Sequence, residues 1–419
     1  MAHGFNYNDK ILYVDDLPLD KIAAQFGTPS YVYSASLIRN NIKRLRRALG
    51  PDVLITYACK ANTNKAVLRI METSGLGADV VSGGELRRAR LAGISPAKIV
   101  FSGIGKTDED IQHAIDEDIL QINVESGAEL ERLLNLNVRK TVRIGFRLNP
   151  DVDAGTHAKI STGHKDSKFG MPADEILYLY RMIESHVFLR PVGLSMHIGS
   201  QLTQLAPFES AFQAMAQLAE KMPAIETLDF GGGIGIAYSD EPEIDLDGYA
   251  SLVQKIFQPL RKKLITEPGR FLVGNTGIVL SSVIDIKKTA GREIVILDAG
   301  MNDLMRPALY DAIHTMRPVR KAASGSYSTA VDIVGPVCES SDVFLQDQPI
   351  SIPARGDLVA LMNAGAYGFS MAGTYNSRPL PPEILVEGGK IALIRTRQSF
   401  DDMVKDEHVP EWISYKESA

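Results

Sequence analysis

The chain has 419 residues, 45% of them hydrophobic and 23% charged, with a formal net charge of −6. That length accommodates two domains, or one large barrel with a smaller companion. The acidic balance, with no basic run or aromatic–basic stripe, argues against a nucleic-acid or anionic-membrane surface.

The opening segment MAHGFNYNDK lacks the apolar stretch of an export signal. No run is long and apolar enough to predict a bilayer span. The two cysteines, Cys59 and Cys338, form no CxxC and no His/Cys cluster, and HExxH is absent. No metal site is expected, and the pattern predicts two reduced thiols in a cytoplasm.

Residues 1–35 carry ILYV and SYVYS around a short helix. They predict a strand pair joining the C-terminal part. Strand-like runs then follow at 53–61, 77–82, 98–103, 120–126, 141–150, 192–200, 226–233 and 263–271. Amphipathic patterns such as GELRRARLAG and PFESAFQAMAQLAEKM separate them. Eight strands with intervening helices predict an α/β fold, a (β/α)8 TIM-type barrel over residues 36–275. A doubly wound sheet is the competing architecture. The polar, glycine-containing stretch 151–170 reads as an inserted loop. After about Thr276 strand-like runs are separated by turns rather than helices. Residues 276–419 therefore predict a second, mostly β domain, barrel- or sandwich-like.

In such a barrel, chemistry gathers where the strands end. Those ends carry Lys60, then Asp79 with SGGE, Arg147 with LNP, His197 and Ser200, Gly231–Gly235, and Glu267, Gly269 and Arg270 in EPGR. A buried ammonium is costly unless paired or used. Lys60 reads either as a strand-end lysine reaching solvent or as a desolvated amine of lowered pKa, able to form a Schiff base. Gly231–Gly235 reads as a tight turn or as a phosphate cradle of backbone N–H groups. It is not a dinucleotide fingerprint, because Ile236 or Tyr238 occupies the last glycine position. SGIGKT is not a P-loop, because Val100 stands at its leading glycine. His197 reads as a core histidine or a ring-stacking group. Glu267 reads as a structural carboxylate or the holder of a proton on a ring nitrogen. Arg270 can clamp phosphate or carboxylate bidentately. Together these properties specify pyridoxal 5′-phosphate.

The motifs YACKAN, GADVVSGGE, RLNPDV…THAKISTGHKDSKFG, HIGSQ, DFGGGIG, EPGR, MRPALYDAIH, GPVCESSD and NAGAYG occur in that order. Over nearly its whole length the chain resembles the diaminopimelate decarboxylases. These are members of the alanine-racemase-like, ornithine-decarboxylase-like class of pyridoxal-phosphate enzymes. The resemblance implies decarboxylation of meso-2,6-diaminopimelate to L-lysine and carbon dioxide, the last step of lysine biosynthesis. It implies that Lys60 carries the cofactor, His197 stacks on its ring and Glu267 pairs with the ring nitrogen. Ser200, Gly232 and Gly233 would hold the phosphate, with Gly269 and Tyr367 close to the cofactor. Asp79 and Arg147 would position this set. Arg270, Arg306 and Tyr310 would meet substrate carboxylates, Glu339 the distal amino group, and Cys338 or Lys60 would return a proton to Cα. A homodimer in which Cys338 and Glu339 reach the partner's active site is also implied.

Three rivals keep parts of this picture. An ornithine or arginine decarboxylase would not need Arg306, since a distal ammonium requires no cation. A racemase on the same barrel fits CESSD and the tail poorly. A noncatalytic pyridoxal-phosphate carrier needs no long β domain. Fold alone decides none of these.

Overall fold

The computed structural model describes residues 4–136, 138–153, 167–239, 241–289, 291–321 and 328–413. Three short strands, β1 (Phe5–Asn8), β2 (Ile11–Val14) and β3 (Leu17–Pro18), form a small antiparallel sheet. Strand β4 (Ser30–Ser34) follows. Its last residue caps the helix Ala35–Leu49, with Ser34 Oγ accepting from Leu37 N at 3.0 Å. That helix buries Ile38, Ile42, Leu45 and Leu49, a spacing that lays one apolar stripe on the barrel.

Eight parallel strands close the barrel. They are β5 (Val53–Ala58), β6 (Gly77–Val80), β7 (Ile99–Phe101), β8 (Gln121–Val124), β9 (Val142–Leu148), β10 (Leu189–Met196), β11 (Thr227–Asp229) and β12 (Lys263–Thr266). Spatial order follows chain order, and β12 returns to β5 through Leu264 opposite Val53. A barrel strand faces packed side chains inside and helices outside, so runs such as VLITYA are buried along most of their length. The expected (β/α)8 barrel is present. Its strands stop earlier than their apolar runs suggest, however. Lys60 lies on a single 3₁₀ turn, Cys59–Ala61, just past β5. His197, Gly231 and Glu267 lie likewise just past β10, β11 and β12.

The remaining strands are β13 (Gly277–Thr289), β14 (Arg292–Leu297), β15 (Met316–Pro318), β16 (Ser328–Val334), β17 (Val343–Ser351), β18 (Leu358–Leu361), β19 (Glu383–Glu387) and β20 (Lys390–Arg395). Together with β4 they build a nine-stranded sheet. ILYV and SYVYS do not pair with each other. SYVYS is β4, inserted between β13 and β19, whereas ILYV is β2 in the small sheet. That small sheet packs against the large one through Phe5, Leu12 and Val14, beside Val32, Ile278 and Ala360. The loop expected at 151–170 lies mainly outside the described residues. No described helix is long and apolar enough to cross a membrane.

Lys106, the lysine of SGIGKT, is fully buried. Its three protons go to Gly103 O at 2.6 Å, Asn123 O at 2.7 Å and Glu129 Oε1 at 2.8 Å. Glu129 in turn accepts from Glu125 N at 2.9 Å. The lysine therefore ties together the loops after β7 and β8. Removing one partner of a buried pair leaves the other uncompensated. Lys106→Met is expected to cost about 3–5 kcal/mol of stability. Urea unfolding measures this, and a midpoint equal to wild type would refute the structural role.

Candidate functional site

The turns after the barrel strands surround a cavity of about 360 Å³ lined by Lys60, Ser102, Arg147, His197 and Glu267 among others. Lys60 Nζ stands 3.1 Å from Asp79 Oδ2, and Asp79 is fully buried at the end of β6. Burial opposes the Lys60 charge, but Asp79, Tyr367 and Glu267 outweigh it and hold its pKa above the ordinary value. The expectation of a lowered pKa is therefore corrected. The acid beside the lysine outweighs the desolvation that the strand sequence suggested. Asp79 Oδ1 is buried without a hydrogen-bond partner.

His197 Nδ1 accepts from Gly232 N at 3.3 Å, so the glycine loop fixes the ring as well as the turn. Burial, then the charges of Lys60 and Arg147, lower the His197 pKa well below the ordinary value. The ring is neutral, with its proton on Nε2. The loop's glycines tolerate no side chains. A Cβ on Gly232 would sit 2.1 Å from Glu267 O, and one on Gly233, where φ is +96°, 2.5 Å from Gly199 O. Glu267 accepts from Ser102 Oγ at 3.3 Å. Burial, then the neighbouring Asp229 charge, push its carboxyl well up. Burial raises the Asp229 carboxyl too, to about 7.

Arg147 reaches the cavity itself, bonded to Glu125 Oε1 at 2.7 Å and stacked on Phe169 at 4.9 Å. Gly269 begins the short helix Arg270–Val273, and a Cβ there would meet Ala58 and Ala61 at 3.2 and 3.1 Å. Arg270 donates to Ser200 Oγ at 2.9 Å and to Tyr238 Oη at 2.6 Å, and lies over the Tyr367 ring at 4.9 Å. Tyr367 is a non-glycine residue with φ of 56°, held there as its N–H donates to Ala61 O at 2.8 Å. Such strain persists where surrounding contacts enforce it.

Arg306 and Tyr310 share the helix Arg306–Tyr310, as their four-residue spacing predicts. Arg306 stacks on Tyr238 at 4.6 Å. Arg270 and Arg306 are 6% and 5% exposed, and the Nε of each is buried without a hydrogen-bond partner. Among the described residues no carboxylate pairs with either guanidinium. Cys338 and Glu339 occupy an exposed turn after β16 and are not among the residues lining the Lys60 cavity. Cys338 N donates to Asn376 Oδ1 at 2.9 Å, and Tyr375 Oη approaches Glu339 Oε2 at 3.5 Å.

Sequence reasoning missed Ser102, Glu125, Asp229, Tyr238 and His314. Asp229 and His314 lie inside the motifs DFGGGIG and MRPALYDAIH, so barrel register and motif membership were usable signals. Nothing local marks Tyr238. No described cluster of three His, Cys, Asp or Glu could hold a metal ion.

Residues 35–274 match the family model of the pyridoxal-dependent decarboxylase, pyridoxal binding domain. The diaminopimelate decarboxylase of Zymomonas mobilis is 46% identical, aligned over 98% of this chain and 99% of its own length. The crystal structure of diaminopimelate decarboxylase from Helicobacter pylori complexed with L-lysine is similar at TM-score 0.89 and 40% identity, covering 92% of this chain and 98% of that one. The enzyme from M. jannaschii is similar at TM-score 0.91 and 36% identity, with 98% and 99% covered.

Glu85 supplies a pH test. Burial pushes its carboxyl up to about 7, against the opposing pull of Val81 N–H and Lys60. The folded state thus favours the protonated acid. That stabilisation is fully present below the ordinary value of 4.5 and lost as pH rises through about 7. Glu85→Gln keeps an acceptor for Val81 N–H and removes the titration. Between about pH 5 and 8 the wild-type urea midpoint is expected to fall more than the variant's; equal slopes would contradict this.

Proposed function

The chain belongs to the diaminopimelate decarboxylase family of pyridoxal-dependent decarboxylases, and on that premise we propose how its own residues carry out the reaction. It releases carbon dioxide from meso-2,6-diaminopimelate and leaves L-lysine. The supporting observation is the pair of buried guanidiniums, Arg270 and Arg306, with no acid among the described residues to neutralise them. A desolvated charge without a counter-ion costs several kcal/mol. Such a site is made for ligands that bring anions.

The residues present fit pyridoxal 5′-phosphate. Lys60 lines a cavity together with a neutral imidazole and a buried acid, and Arg270 has an unsatisfied Nε beside the side-chain-intolerant glycine loop. Lys60 would hold the group covalently through Nζ and His197 would lie against its ring. Glu267 would hold the ring-nitrogen proton. Ser200, Gly232, Gly233 and Arg270 would hold the phosphate, with Gly269 and Tyr367 alongside. When bound, the cofactor supplies an electron sink for the pair left by the departing carboxylate. Asp79 orients the Lys60 amine, and Arg147 closes the opposite wall. Arg306 and Tyr310, with Arg270 beside them, take the carboxylate that is retained. Residues 36–275 thus carry the cofactor, and residues 276–419 with 1–35 carry the far end of the substrate.

Glu339 binds the distal ammonium and Cys338 returns a proton to Cα, both from a second copy of the chain. Their exposed turn supports this reading, since within one copy it leaves both side chains open to a partner. The working form is therefore a homodimer with shared sites. Two unpaired cysteines accord with a cytoplasmic setting.

Offered meso-diaminopimelate, ornithine and arginine in parallel, the loaded protein should release carbon dioxide only from the first, with lysine as product. Release from either of the others would overturn the substrate assignment. Lys60→Ala should lose the visible absorbance of the lysine-bound cofactor; a retained band would exclude Lys60 as the carrier. Mixing inactive Lys60→Ala and Cys338→Ala chains should regain up to about a quarter of wild-type activity, because half the dimers then hold one intact site. No recovery after subunit exchange would argue against shared sites.

A further inference from the structure

Arg306 rests on no acid among the described residues. Its Nη1 lies 2.9 Å from Nε2 of His314, which is fully buried. The other ring nitrogen, Nδ1, lies 2.7 Å from Met362 O. A carbonyl oxygen only accepts, so Nδ1 must carry the proton. Nε2 is then the acceptor, and the Arg306 Nη1–H donates to it. One main-chain oxygen thus selects the tautomer, and the tautomer selects which edge of the guanidinium is used up. Burial and the adjacent Arg306 charge bring the His314 pKa down to about 3, which favours the neutral ring. Tyr238 completes the mount, edge-on to His314 at 5.5 Å and face-on to Arg306. The Arg306 edge bearing Nε is left as a buried donor without a partner.

We propose that His314 is a positioning residue for substrate selection. It pins one arm of the Arg306 fork, so that the edge bearing the unpartnered Nε is turned to the retained carboxylate of the substrate. An acid at position 314 would neutralise Arg306 and compete with that carboxylate. A protonated imidazole would repel the guanidinium. A neutral acceptor orients the fork and leaves its charge for the ligand. The inference rests on the reading of Arg306 as the carboxylate receptor.

The test uses cofactor-loaded protein and L-lysine, the product that keeps the carboxylate. His314→Asn keeps a donor for Met362 O but is too short to reach Arg306. His314→Gln places an acceptor near the former Nε2 position. His314→Asn is expected to weaken L-lysine binding about 10- to 100-fold, the worth of one charge-assisted hydrogen bond. It should raise KM for diaminopimelate more than it lowers kcat, with cofactor loading and absorbance unchanged. His314→Gln should recover part of the affinity. In an Arg306→Met background His314→Asn should cost nothing further, which a merely structural role would not produce. Should the asparagine variant not fold, His314→Phe fills the same space without an acceptor and carries the same expectation. Wild-type lysine affinity in the acceptor-less variant, or an equal loss in the Arg306→Met background, would overturn the proposal. If Arg306→Met itself leaves lysine binding intact, the carboxylate reading fails instead.

Discussion

Two positive charges, buried with no acid beside them among the described residues, govern this site. Arg270 and Arg306 both contact Tyr238 and spend individual protons on neutral acceptors, Ser200 and the Tyr238 hydroxyl for one and His314 for the other. None of these cancels a charge. Stability alone would favour a carboxylate or an apolar replacement there. The arrangement makes sense when the missing negative charge arrives with ligands, one at the phosphate end beside the glycine loop and one at the substrate end. On the cofactor side the charge pattern is reversed. Asp79, Tyr367 and Glu267 act on Lys60, and together they hold its pKa above the ordinary value against burial. An acidic pocket that steadies an amine thus lies close to a basic pocket that awaits anions, which suits a substrate bearing both.

The two halves of the site belong to different parts of the fold, and a few main-chain contacts keep them in register. Tyr367 N–H and the Ser370 hydroxyl both donate to Ala61 O, and Asn62 donates to Gly365 O. The turn carrying Lys60 is therefore stitched to the loop carrying Tyr367. Asn363, on the same loop, donates to the carbonyls of Ala237 and Tyr238. A shift of the β sheet against the barrel would disturb Lys60 and Tyr238 together. Tyr367 keeps its left-handed backbone because these bonds enforce it.

The barrel was readable because its strands are buried on both faces, so each appears as a short apolar run with few polar interruptions. Lys60, His197 and Glu267 were readable because a polar residue at the end of such a run has no structural excuse. What escaped the sequence is what depends on distant pairs. Tyr238 and His314 are 76 positions apart and meet only through folding. The pairing of β4 with β13 and β19 joins residues near 30 to residues near 280 and 385. The Lys60 charge state could not be read from its own strand, since the deciding group is Asp79 on the next one. Cys338 and Glu339 are legible as a motif, but one chain alone leaves them outside the cavity.

The central claim, that Arg306 beside Arg270 is buried to receive the substrate's retained carboxylate, is tested most directly by titrating the cofactor-loaded protein calorimetrically with L-lysine and with 1,5-diaminopentane. The two ligands share chain length and both amines and differ by one carboxylate. The account predicts that L-lysine binds at least about 100-fold more tightly, the worth of a buried bidentate carboxylate–guanidinium contact. Equal affinities would mean that the guanidiniums do not read the ligand's acid, and their burial without counter-ions would need a different cause.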